Sequence, residues 1–130
     1  MNTQQNLADL LGRVLIAAIF LVAGLNKISG YDGTVGYMES MGGPGVLLPL
    51  VIALEVLGAV AIIVGWRTRL FAFLLAGFSV VSAVIFHRAL GDSMQFILFM
   101  KNVAMAGGFL FLVARGAGEW SLDARRAGAR

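Results

Sequence analysis

Hydrophobic positions dominate long unbroken runs of the chain, and polar residues gather in short clusters between them. Four runs stand out, at about 7–28, 46–64, 70–86 and 94–113. A bilayer core is about 30 Å thick and a helix crosses it with roughly 20 residues. Each run therefore predicts a membrane-crossing helix. Membrane strands alternate apolar and polar positions over about 10 residues, and these runs do not alternate. The separators carry turn chemistry: "GGPG" at 42–45, "GWRTR" at 65–69 and "HRALGDS" at 87–93. The expected fold class is all-α, an integral membrane four-helix bundle forming a single domain over 1–130 with a short basic tail at 114–130.

Composition supports that reading. Hydrophobic residues make up 59% and charged residues 13% of the 130 positions, against roughly 25% charged in an ordinary soluble domain. The first run has a small-residue end at Ala23 and Gly24, but Asn26 and Lys27 follow at once and Asp9 sits where a secretory signal would be basic. It is therefore expected to stay as a helix. The chain has no cysteine, which excludes disulfides, thiolate metal sites and dithiol redox chemistry within it. The formal charge of +3 comes largely from arginines in one loop and the tail, a mark of membrane topology and not of nucleic-acid binding. Arg67, Arg69, Arg115, Arg125, Arg126 and Arg130 fall on one side, whereas the first connection carries Asp32 and Glu39. Both termini are accordingly expected in the cytoplasm, with Trp66 and Trp120 as anchors at that interface.

This topology assigns depths to the polar residues inside the runs. Glu55 lies about nine residues into the second run, roughly 13 Å from the outer surface, and Lys101 and Asn102 lie roughly 10 Å down the fourth. Asn26 and Lys27 end the first run, His87 and Arg88 end the third, and Gln95 stands at the mouth of the fourth. All four helices put polar groups in the outer half, and the inner half is expected to be almost purely aliphatic and aromatic. A polar pocket open to the extracytoplasmic side follows. Charges at this depth normally pair and face a bundle interior, so Glu55 is expected opposite Lys101 or Lys27. The candidate ligand-binding residues are Lys101, Glu55, Asn102, Asn26, Lys27, Gln95 and His87. Cations outnumber the single buried carboxylate, which favours an anionic or carbonyl-bearing ligand; a purely structural pair that sets helix register is the alternative. One histidine and no cysteine leave no metal site. Small residues in line with Glu55 (Gly58, Ala59) and with Lys101 (Ala104, Gly108) suit close helix packing and are compatible with a homodimer.

The order "GRVLIAAIFLVAGLNKISGYD", "PLVIALEVLGAVAIIVGWRTRL" and "FMKNVAMAGGFLFLVARGAGEWSLD" resembles the DoxX family of small four-helix bacterial inner-membrane proteins. The likeness runs from about Leu10 to Asp123. It rests on Gly24–Lys27, on Glu55 with Gly65 and Arg67 or Arg69, on Lys101, and on the closing Gly116–Asp123 stretch. The resemblance implies a multi-pass protein of the bacterial inner (plasma) membrane, associated with membrane redox processes and partner redox enzymes. It implies a quinone, held non-covalently, as the cofactor class, and at most a subunit of a quinone-linked oxidoreductase, since the chain carries no catalytic set of its own. Two functions remain open. The bundle binds a quinone headgroup or small anion in the outer pocket, or it is a non-catalytic scaffold or anchor for a redox or sulfur-metabolism complex.

Overall fold

A computed structural model describes residues 2–128, so Arg130 of the basic tail lies outside the described residues. Its elements are α1 (Thr3–Ser29), α2 (Tyr31–Ser40), a 3-10 turn (Gly45–Leu47), α3 (Leu48–Val64), α4 (Thr68–Phe86), α5 (Ser93–Arg115) and α6 (Leu122–Gly128). Among the described residues there is no strand, and four helices are long and apolar enough to cross a membrane: Thr3–Ser29, Gly45–Val64, Thr68–Phe86 and Ser93–Arg115. They match the four runs expected from the sequence.

Local chemistry sets the helix ends. Asn2 and Gln5 cap α1 reciprocally, the Asn2 side chain accepting from Gln5 N–H at 2.8 Å and the Gln5 side chain from Asn2 N–H at 3.0 Å. Pro49 occupies the first turn of α3, where a missing N–H costs nothing. Gly65 ends α3 in the left-handed region, at φ 74°, which only glycine enters without penalty. Asp92 caps α5 by accepting from the Met94 and Gln95 N–H groups.

The bundle packs as two antiparallel pairs, α1 with α3 and α4 with α5, joined where α3 meets α4. The buried core is made of small residues with a few large ones: Ala17, Ala59, Ala72, Ala76 and Ala106 let the backbones approach, and Phe20, Ile62, Leu75 and Phe109 fill the space between. Lipid is as apolar as leucine, so close van der Waals packing and interhelical hydrogen bonds must hold such a bundle. The large apolar side chains turn outward instead, among them Leu15, Val46, Phe73 and Phe111.

At the end of the bundle bearing the α3–α4 turn, the expectation of a purely apolar half fails. Arg13, only 1% exposed, donates to the carbonyls of Ile62 (3.3 Å) and Ile63 (3.1 Å) and also to that of Trp120. It thereby satisfies the open end of α3 and ties the C-terminal segment to α1. Asp123 completes this clasp by accepting from the N–H groups of Arg67 (2.7 Å) and Thr68 (2.9 Å), so the N-terminus of α4 is capped from 55 residues away. The tail is thus not a loose basic extension but a short helix, α6, built into the bundle floor.

Burial pushes the Asp123 carboxyl up, but the N–H groups of Thr68 and Arg67 and the nearby Arg126 charge outweigh it, and its pKa lies below the usual carboxylate range. A depressed folded-state pKa contributes stability that is complete above the unfolded value, about 3.9, and is lost as pH falls through the folded value. In thermal unfolding between pH 7 and pH 3, Asp123→Asn is expected to be less stable than the wild type at pH 7. The gap should begin to narrow only as pH falls below about 4.

Candidate functional site

Glu55 sits seven residues into α3, about 10 Å along the helix, and is 2% exposed. It can be there because Gly24 of α1 lets the two helices touch: a Cβ at position 24 would lie 2.7 Å from Val56 Cγ2 and 3.2 Å from Glu55 Cβ. One turn further along α1, Lys27 reaches back and places Nζ 2.8 Å from Glu55 Oε1. Among the described residues that oxygen has no other polar partner. Of the two cations the sequence offered for Glu55, the structure uses Lys27.

The pair lines a cavity of about 250 Å³, room for several waters at roughly 30 Å³ each or for one small ring. Lys101 of α5 lies eight residues from the helix start, about 12 Å in, and is exposed while also lining the cavity. Among the described residues it has no ion-pair partner. Asn102 is buried beside it and donates to the Ser79 carbonyl at 3.1 Å, fastening α5 to α4. His87, at the end of α4, lines the cavity with its Nδ1 3.0 Å from Gln95 Oε1.

Aromatic groups shape the rest. Phe20 meets Phe78 and Phe109 edge-on, at ring separations of 6.3 and 5.5 Å. Tyr37 stacks on Phe86 at 5.5 Å with 20° between the planes. Tyr37 belongs to α2, a helix that the sequence reading left inside a connection. Two glycines, Gly33 and Gly36, weaken its helical signal, but Thr34, Tyr37 and Met38 all turn toward the cavity. The spacing of Thr34, Tyr37 and Met38, one helical face, was the signal available.

Five of the seven candidate residues therefore line one cavity: Lys27, Glu55, His87, Lys101 and Asn102. Gln95 touches it only through His87. Asn26 is exposed and stands outside the cavity lining, and its carbonyl ends α1 by accepting from Gly30 N–H and Ser29 Oγ. Among the described residues no three His, Cys, Asp or Glu side chains converge as a metal site would require.

The sequence model of the DoxX family matches residues 8–88. The chain belongs to the DoxX family. The match covers the elements that place Lys27 and Glu55, while Lys101 and Asn102 lie beyond it. The chain is also similar to inner membrane protein YqjF of Escherichia coli (strain K12), 43% identical over 123 residues and covering 95% of each chain. Inner membrane protein YphA of the same organism is 41% identical over 125 residues, 89% of this chain and 88% of that one. Putative oxidoreductase CatD of Bacillus subtilis (strain 168) is 34% identical over 85 residues, 65% of this chain and 63% of its own. No solved structure matches. With four spanning-length helices and relatives of this kind, this DoxX protein is a multi-pass inner-membrane protein.

Proposed function

We propose that this DoxX protein binds a quinone headgroup or a small anionic ligand in the Lys27–Glu55–Lys101 cavity and serves a membrane redox system. The observation that carries the reading is Lys101. A lysine some 12 Å along a spanning helix, without a counter-charge, is costly unless something negative or strongly dipolar meets it. Glu55 is already engaged by Lys27, so that complement must come from outside the chain.

The residues present fit a quinone ring. Lys101 can donate to a carbonyl or anionic oxygen, His87 Nδ1 being used on Gln95 Oε1, and the faces of Phe20, Phe78 and Tyr37 suit a flat apolar ring. A bound quinone would supply two-electron redox capacity, and the chain's own part is to bind, orient and exclude water. Glu55 and Lys27 hold each other, which keeps a second ammonium at the cavity wall without leaving a net buried charge there. The name of one relative, a putative oxidoreductase, agrees with a redox setting. The arginines at the α3–α4 turn and α6 support a cytoplasmic position for that end under the positive-inside rule, with the cavity then in the outer half.

In thermal unfolding of the detergent-purified protein, one member of a panel of ubiquinone and menaquinone analogues and small oxyanions is expected to raise the wild-type midpoint. Lys101→Met should abolish that rise while the protein inserts and folds normally. If the rise persists in Lys101→Met, the cavity is not the site; if no compound raises the midpoint, the scaffold reading takes its place, in which the buried pair sets helix register and the protein serves to anchor partner enzymes.

A further inference from the structure

The cavity has a roof and a closed floor, but one flank is different. Over the top, α2 contributes Thr34, Tyr37 and Met38, and the Tyr37–Phe86 stack fastens this helix to the end of α4. At the floor, α1 and α5 touch through Phe20 on Phe109 and through Ile16 against Gly108, where an added Cβ would meet Ile16 Cδ1 at 2.6 Å. The two helices otherwise meet little, since α1 leans mainly on α3 and α5 on α4. Lys101, Ala104 and Gly108 form one stripe of α5, three and four residues apart. Gly108 faces α1, so Lys101, two turns above it, borders the same seam. Lys101 and Ala104 are exposed there, and Lys101 also lines the cavity. The α1 side of the seam is Ile19, which is 41% exposed and lines the cavity too.

From this juxtaposition we infer that the cavity opens sideways into the bilayer between α1 and α5, with Lys101 at the sill, and that its ligand is a membrane-dissolved amphiphile. The head carries carbonyl or anionic oxygens, and an alkyl tail leaves through the seam into lipid. This rests on the ligand-binding reading above and narrows its substrate class to tail-bearing molecules. A water-borne anion would have to pass α2, which lines that end of the cavity with Thr34, Tyr37 and Met38. A tailed molecule keeps its chain in hydrocarbon while only the head crosses to Lys101, so its desolvation is confined to a few polar atoms.

The test uses the full chain in phosphatidylcholine nanodiscs with two probes, a benzoquinone bearing a decyl tail and the same ring without it. The wild type should bind the tailed probe at least tenfold more tightly than the tail-less one after correction for partitioning into lipid. Ala104→Trp, which places a large ring in the seam, should remove that advantage and leave the tail-less affinity within twofold. Ala104→Leu should give a smaller loss in the same sense. Val103→Trp, one position round the helix, should change neither. If Ala104→Trp and Ala104→Leu leave the tailed probe unaffected, or weaken both probes alike, the side opening is wrong. If neither probe nor a panel of oxyanions binds the wild type, the ligand-binding reading itself fails. Displacement of the tailed probe by phosphatidylglycerol, sensitive to Ala104→Trp, would uphold the opening and assign its head to an anionic lipid.

Discussion

Arg13→Met is expected to produce the largest loss of stability of any single arginine substitution in the chain. The guanidinium is fully enclosed and donates to three carbonyls, those of Ile62, Ile63 and Trp120. Methionine fills part of the volume but donates nothing, so the carbonyls of Ile62, Ile63 and Trp120 lose a charged donor, with the Gly65 N–H left on that of Ile62. Hydrogen bonds from a charged group contribute about 1.5–3 kcal/mol each and are not additive, so a net loss of roughly 3–5 kcal/mol is expected. For a chain of this size that is a midpoint decrease on the order of 10 °C. Arg88→Met is the control. Arg88 is exposed at the far end of α4, and its substitution should move the midpoint by no more than about 1–2 °C, as surface changes usually do. A comparable decrease in both variants would mean that the floor clasp does not hold the bundle.

The second large effect is an asymmetry in the Lys27–Glu55 pair. The Glu55 side chain is 3% exposed and that of Lys27 27%. Lys27→Met therefore strands a carboxylate in the bundle, and breaking a buried pair from this side costs about 3–5 kcal/mol. Glu55→Gln leaves an ammonium near the end of α1 that can swing toward the headgroups, so it should cost far less. The double variant Lys27→Met with Glu55→Gln should be more stable than Lys27→Met alone. Thermal unfolding of the four proteins closes the cycle, with a coupling on the order of 2 kcal/mol expected. Equal losses from the two single variants, and additivity in the double, would contradict the pairing.

The spanning helices were legible because each is a continuous apolar run of the right length, a signal that requires no long-range information. The candidate site was legible for a related reason: a charge such as Glu55 or Lys101 inside an apolar run has no harmless place to go. Which cation meets Glu55 was not legible, because that depends on how closely α1 approaches α3, and Gly24 decides it. Asn26 shows the limit of depth as a guide, since it shares a turn with Lys27 but faces away from the cavity.

The floor of the bundle was missed altogether. Arg13 interrupts the first apolar run, but its partners are carbonyls 49 to 107 residues away, and backbone acceptors leave no mark in a sequence. The same holds for Asp123, which caps a helix from a segment whose sequence marks a basic tail and a family likeness but not the N–H groups it meets. Helix α2 was hidden by its two glycines; it forms because Met38 and Tyr37 find apolar partners on the bundle, a tertiary gain that outweighs weak propensity.

The proposed function stands or falls on a ligand among Lys27, Glu55, Lys101 and the aromatic walls. Photolabelling with an azido-quinone, followed by peptide mapping, tests it most directly. Label is expected on cavity-lining residues of α2, α4 and α5, such as Tyr37, Phe86 and Met105, and unlabelled quinone should compete it away. Label that falls on the lipid-facing Leu15, Val80 or Phe111, or that resists competition, would contradict the account.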